Sequence, residues 1–471
     1  MKKVLTTVSA IALTAAFTGP ALADAKTDAQ IEALTAKINQ MSSTIDSLRT
    51  EVTTLRTESA TQKEAIAQTQ KAAASTATKV SFAKGAPEIS APDGSSFKVR
   101  GQVAADAAFF NSRKGGNDYN NGTEIRRARL GIDGTYTKDW VYRLEADFAK
   151  SSRDDNSSQE IDLKDAYVGY QGIHNTKIII GQQKTPNTLE QANSSYDQLF
   201  TEIPLMVEAF TNRLTAGGDY KIGAQATYEG SNYLVSGGIF GENSAAYGGT
   251  STTSSAAQGV YHDEGWGPAA RFVYTPIKEP TKLIHLGLSG YYRNTAGKQF
   301  VQFRSGPEVD VDSTRLVDTG ALKADDYEFG GVELAGVYGP FFLQSEYGVT
   351  KVDRLTGSNV SFGGGYAEVS YTLTGESKPY KSGAFLRTKP KRQFDPGAGN
   401  WGAWEVAARY STLDLNDKDI RGGTENNWSL GLNWYPNDYI RFLVDYVNFD
   451  AKRNGVKQEG DVVITRASVA W

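Results

Sequence analysis

Along FKVRGQVAADAAFF, residues 97–110, apolar and polar side chains alternate. Phe97, Val99, Val103, Ala105 and Phe109 fall on one face, and Lys98, Arg100, Gln102 and Asp106 on the other. The same period of two runs through WVYRLEADFA (140–149), PFFLQSEYGV (340–349), GAWEVAARYS (402–411) and NWSLGLNWY (427–435). A period of two is the mark of a strand with one apolar face. Sixteen such segments begin near 97, 124, 140, 161, 176, 222, 233, 267, 282, 328, 340, 361, 402, 426, 439 and 460. Aromatic residues gather at their ends, the last at Trp471.

Residues 31–55 follow a different period. Ile31, Leu34, Ile38, Met41, Ile45, Leu48, Val52 and Leu55 alternate spacings of three and four, an a/d heptad seam with Ile31 at a. Glu51 with Arg56 and Glu58 with Lys63 occupy g and e′ positions in the sense of parallel strands. A single helix would expose this stripe, so the spacing predicts self-association. β-branched a positions with leucine at d lean towards two strands, and Met41 leaves three open. The alternative is an amphipathic helix packed on its own chain. The Ala/Ser/Thr-rich stretch 72–96, with Pro87 and Pro92, reads as a linker.

The start of the chain, a basic MKK, a short apolar run and ALA ending at Ala23, has the form of a secretory signal peptide. The organisation expected is therefore a signal peptide over 1–23, a coiled coil over 24–71, the linker, and a strand-rich domain over 97–471. Without Lys2 and Lys3 the 50 basic residues become 48 against 54 acidic, a net charge of −6 that argues against nucleic acid as partner. Cysteine is absent, and His174, His262 and His285 have no ligand spacing. Neither a metal site nor a catalytic triad is expected, and no cofactor.

Exported β protein could mean a soluble sandwich or a membrane barrel. Two features favour the barrel: an apolar face nearly unbroken across all segments, and connections that alternate long and short. With both termini periplasmic, the outer loops fall near 111–122, 150–160, 185–212, 242–266, 295–326, 351–359 and 413–425. The opposite turns are tight, as in TKD, GIHN and YPND. The fold class predicted is all-β: a sixteen-stranded antiparallel transmembrane β-barrel in the outer membrane of a Gram-negative bacterium, with a periplasmic coiled-coil helix. Closure follows because lipid cannot hydrogen-bond a free strand edge.

One turn breaks the rule of short periplasmic connections. Residues 375–401 form about 27 residues, and within them 376–393 carry Lys378, Lys381, Arg387, Lys389, Lys391 and Arg392 against one acid, Glu376. Folded into the bore, such a segment would concentrate anions. Alternation also turns Arg100, Arg127, Arg129, Arg143, Arg271, Arg293, Arg409, Arg441 and Arg466 inward. Ten acids share that face: Asp106, Asp133, Glu145, Asp147, Asp165, Glu333, Glu346, Glu368, Glu405 and Asp445, so the wall is nearly neutral. The third outer loop, the usual one to fold inward, carries Glu190, Asp197, Glu202 and Glu208 and no basic residue.

RRARLGIDGTYTKDWVYRLEADFA, IDLKDAYVGYQG, IIIGQQKTPNTLEQANSS, YTLTGESKPYKSGAF, GAWEVAARYSTLDLND and GLNWYPNDYIRFLVDYV together resemble the phosphate-selective porin O/P family over about residues 97–471. The resemblance implies a sixteen-stranded homotrimeric porin in which an arginine ladder leads anions to a lysine-lined constriction. Carried over by position, Lys184, Lys381 and Lys391 are constriction candidates, with Lys378, Arg387 and Lys389 as near-equal substitutes. Arg127 and Arg129 are ladder candidates beside the inward Arg100, Arg143 and Arg409. The function expected is passive diffusion of small anions, phosphate first, with no chemistry performed. The rival readings are a general diffusion porin and a barrel-anchored tether whose helix holds peptidoglycan.

Overall fold

The computed structural model describes residues 25–76, 78–82, 85–115, 118–149, 161–211, 219–244, 264–295 and 300–471. The signal segment and the outer loop read at 150–160 lie outside the described residues, as do 245–263 of the loop read at 242–266 and residues 296–299. Two units are present, divided at Ala77. The first is helix α1, Ala25–Thr76. Every seam position is exposed on it, Ile38 at 63% and Leu48 at 53%. No helix among the described residues is apolar and long enough to cross a membrane; the crossing is made by strands.

The second unit is a closed barrel of sixteen antiparallel strands. They are β1 Ser96–Lys114, β2 Gly122–Tyr136, β3 Trp140–Asp147, β4 Asp162–Ile173, β5 Thr176–Lys184, β6 Tyr220–Glu229, β7 Tyr233–Phe240 and β8 Gly267–Glu279. There follow β9 Lys282–Asn294, β10 Leu322–Tyr338, β11 Phe341–Arg354, β12 Val360–Thr372, β13 Ala403–Asp417, β14 Ile420–Tyr435, β15 Ile440–Arg453 and β16 Val456–Ala470. Each pairs with the next, and β16 closes on β1 from Glu459↔Lys114 to Ala470↔Gln102. Trp471 and Gly101 then exchange backbone hydrogen bonds, so the seam is sealed to its end.

The barrel is inside out relative to a soluble core. On β14, Trp428 and Leu430 point outward and are 61% and 60% exposed, while Asn427 on the opposite face is fully buried. That inversion is the pattern of a lipid-facing wall around a polar bore.

The sixteen strands sit where alternation places them, but several run further. The outer loop expected at 413–425 is a two-residue turn, Lys418–Asp419, because β13 and β14 stay paired as far as Asp417↔Ile420. β15 and β16 likewise continue to a turn at Asn454–Gly455, an outer connection the alternation did not single out. Beyond the lipid, both faces of a strand meet water. The apolar period then fades although the ladder of hydrogen bonds continues.

The stretch read as a linker is also partly ordered. Lys79–Ser81 pairs with Glu88–Ser90, which pairs with the start of β1. There β1 extends past the end of β16, and the hairpin covers an edge that would otherwise be bare.

Candidate solute passage

The third outer loop lies inside the bore, and arginines of the wall hold it there. Its first turn, α2 (Leu189–Ala192), starts at Thr188, whose hydroxyl accepts from Gln191 N. The backbone N–H groups of Leu189 and Glu190 donate to the Glu346 carboxylate at 2.9 and 2.8 Å. Arg441 donates to the carbonyls of Tyr196, Gln198 and Leu199. Arg466 bridges Asp106 of β1 and Glu202 of the loop at 2.6 and 2.9 Å. Arg126 reaches Glu202 at 2.8 Å and Asp310 at 3.0 Å, the latter from the loop before β10. Arg409 joins Glu308 of that same loop at 2.6 Å and the Glu202 carbonyl at 3.0 Å.

The second short helix, α3 (Leu205–Thr211), is buried throughout. Its Met206 and Phe210 pack with Phe303, Phe329 and Phe362 in an apolar cluster inside the barrel. The β9–β13 side of the bore is therefore filled by protein.

This explains the acidic third loop. Glu202 faces two wall arginines. Asp197 binds Arg387. Glu208 accepts from Ser305, and Glu190 accepts from Gln344. The acids are engaged with the wall, the flap or the loop before β10. Burial alone would raise the Glu202 carboxyl, but Arg126, Arg127 and Arg466 outweigh it and hold the group well below its usual 4.5. A carboxylate with a lowered pKa stabilises the folded state at and above its unfolded range. It loses that contribution only as pH falls through the lowered value. Single-channel conductance should therefore show no opening of this latch from neutral pH down to about 4.5. An opening at or above that pH would contradict the latch.

The basic turn also enters the bore, as a flap under the third loop. Lys378 pairs with Glu405 at 3.1 Å, with both side chains buried. Tyr380 OH meets His285 Nδ1 at 2.8 Å. Arg271 donates to Gly383 O at 2.9 Å. The flap tip reverses at Ser382 and Gly383, both with positive φ, a turn that glycine permits. Phe385 fills an apolar socket with Leu189, Phe200 and Phe342, and its N–H donates to Asn193 Oδ1. Arg387 binds Asp197 and the Asp438 carbonyl.

Of the predicted constriction residues, then, Lys378 and Arg387 anchor the flap. Lys184 anchors the third loop through the Gln191 and Asn193 carbonyls. Lys381 stands exposed at the flap tip. Lys389, 3.9 Å from Asp438, and Lys391, whose Nζ donates to Gly375 O, are exposed beyond the bore.

The wall arginines also separate. Arg409, expected to line the pore, does not: its side chain is 1% exposed and sealed beneath both loops. Its strand register points it inward, but inward here means into packed protein. Arg127 is buried beside Arg126 and Arg466, and its Nε and Nη1 have no hydrogen-bond partner. Arg100 and Arg143 are about a third exposed, at 29% and 30%, and Arg129, more enclosed, pairs with Asp147 at 2.8 Å.

The water-facing wall is thus β1–β6. Lys98, Asp133, Arg143 and Tyr167 stand in one row across four strands. Arg100 pairs with Glu145 at 2.7 Å, and Arg143 with Asp165 at 3.4 Å. Below this row a recess of about 930 Å³ opens at the periplasmic turns, lined by Lys177, Ile179, Thr227, Lys278 and Ser382. Lys177 lies over the Tyr167 ring at 5.6 Å. Sequence reasoning placed Lys98 on the polar face without naming it as a site residue, and passed over Lys177, although alternation with the outward Ile178 and Ile180 already turns Lys177 inward.

A closed strand barrel with an inside-out wall, narrowed by an infolded outer loop, is the frame of a diffusion pore. The family model for phosphate-selective porins O and P matches residues 97–471.

The chain belongs to this porin family.

Porin O of Pseudomonas aeruginosa is 28% identical over 423 residues, covering 81% of this chain and 90% of that protein. An uncharacterised protein of Caulobacter vibrioides is 30% identical over 395 residues, covering 81% and 74%. Among solved structures, OmpF of Salmonella typhi in complex with daunomycin shares the fold at a TM-score of 0.50, with 13% identity, 80% of this chain and 98% of that one covered. The protein is thus an outer-membrane porin, a channel for diffusion of small solutes. The porin's bore is asymmetric: the infolded loops pack against the β9–β13 side, and Arg100 and Arg143 on β1 and β3 stay about a third exposed.

Proposed function

We propose that this porin prefers small anions, phosphate first. One observation carries the reading. The acids of the third loop are engaged with the wall, the flap and the loop before β10, while Lys98, Arg100, Arg143, Lys177 and Lys381 remain on the water side. Arginine offers a phosphate two parallel donors, and lysine a mobile point charge. Asp133, Glu145 and Asp165 on the same wall favour the second reading, a general diffusion porin. Reversal potentials in a salt gradient, and block of chloride current by added phosphate, separate the two. Equal permeability of potassium and chloride, with no phosphate block, would leave only the second.

The functional unit is a homotrimer in lipid, held together in part by the α1 seam. Charges at Ile38 and Ile45 would face apolar partners across that seam. Ile38→Asp with Ile45→Asp should therefore lower the temperature at which the trimer dissociates on mild-detergent gels while leaving barrel folding intact. An unchanged dissociation temperature would remove the helix from assembly.

A further inference from the structure

After Arg387 the flap leaves the bore and crosses the periplasmic lip to the outside of the barrel. Phe394 N donates to Pro436 O at 2.7 Å in the β14–β15 turn. The Phe394 ring meets Trp434 edge-on at 5.3 Å. Trp434 points outward and stacks with Trp404 at 5.5 Å and Phe442 at 5.3 Å, its neighbours on β13 and β15. Trp401 completes the group, 5.8 Å from Phe394. Its carbonyl accepts both indole N–H groups, from Trp404 at 3.2 Å and Trp434 at 2.8 Å. The result is a fixed aromatic platform on the lipid face. Aromatics of this kind lie at the depth of the headgroups.

Three exposed cations sit on the same segment: Lys389, Lys391 and Arg392. The acids about them are largely engaged. Asp438 is 3.9 Å from Lys389. Asp395 accepts from Ala398 N, and the buried Glu376 accepts from Lys391 N and Thr374 OH. Arg392 has no acidic or carbonyl partner among the described residues.

We propose that residues 389–401 form a docking surface for anionic phospholipid of the periplasmic leaflet. The phosphodiester meets Arg392 and Lys391, and the acyl chains lie along Trp401, Trp434 and Phe442. The occupant must be an amphiphile, because the platform runs on into the outward apolar residues Leu432 and Val444, 38% and 45% exposed. A soluble anion or a glycan would leave that surface bare. The proposal rests on the outer-membrane porin reading and goes beyond it, since these cations lie outside the bore.

The test uses the full chain in phosphatidylcholine vesicles, with phosphatidylglycerol or phosphatidylcholine brominated on the acyl chains as quencher of tryptophan fluorescence. At low salt, brominated phosphatidylglycerol should quench several-fold more per mole than brominated phosphatidylcholine. The preference should vanish in K391Q/R392Q and in high salt. Equal quenching by the two lipids, or an undiminished preference in the variant, overturns the proposal. So does loss of the preference on adding inorganic phosphate at constant ionic strength, which would make free phosphate the ligand. Sedimentation with peptidoglycan sacculi that is lost in the variant, without any lipid preference, also overturns it. Conductance of the same vesicles is read in parallel and should be equal in the two proteins. An absence of conductance in wild type would sink the porin reading by itself, whatever the lipids do.

Discussion

Replacing Lys177 and Lys381 with glutamate should reverse the ion preference of the porin, seen as a change of sign of the reversal potential in a potassium chloride gradient. Lys177 lines the recess at the periplasmic turns, and Lys381 is the exposed cation at the flap tip beside Ser382 of that recess. Neither is held in an ion pair among the described residues. Two reversals move the local charge by about four units. Even in water, two unit charges about 4 Å apart interact by about 1 kcal/mol, and a confined bore screens less well than bulk water. The permeability ratio should therefore move by about tenfold or more. Raising the ionic strength should shrink the difference, because the screening length falls below about 8 Å above physiological salt. A reversal potential that keeps its sign and size in the double variant would show that solute does not pass this wall.

Arg409→Ala should be the most damaging single substitution. The guanidinium lies between Glu308 and Glu368, at 2.6 and 3.8 Å, over the face of Phe200, and it also holds the Glu202 carbonyl. Removing it leaves carboxylates buried without their cation, which costs about 3–5 kcal/mol in comparable pairs. The third loop and the loop before β10 lose a shared clamp together. The unfolding temperature, followed by the shift of the barrel on gels, should fall clearly, and open-channel current should become noisy. Arg409→Lys should not restore it, since one ammonium cannot serve both the Glu308 carboxylate and the Glu202 carbonyl in the fork geometry. Wild-type stability and quiet current in the alanine variant would show that the loops are held by their apolar contacts alone.

These expectations come from two different layers of the molecule. The strands were legible because each position chooses between lipid and bore, and a period of two records that choice directly. The unusual length and charge of 375–401 marked it as something other than a turn. Which cations face water was not legible. Arg143 and Arg409 have the same residue type and the same inward register. They differ only in what the loops cover: Arg409 lies beneath the third loop and the one before β10, and Arg143 opposite open bore. Likewise Lys378 and Lys381 are three residues apart in one flap, yet Glu405 takes the first and, among the described residues, no acid takes the second.

The amino-acid order by itself determined a closed strand barrel, an exposed heptad seam and a set of inward charges, because each of these depends on local period and on the solvent that a face meets. Only the tertiary structure decided that Glu202 of the third loop binds wall arginines, that the basic flap is anchored by Lys378 and Arg387, and that Arg409 is covered while Arg143 is not. The reason is that charge pairing inside the bore joins residues far apart in the chain: Arg126 and Glu202 by 76 positions, Arg466 and Glu202 by 264, Arg466 and Asp106 by 360. No local pattern encodes which of two inward arginines a distant loop will cover.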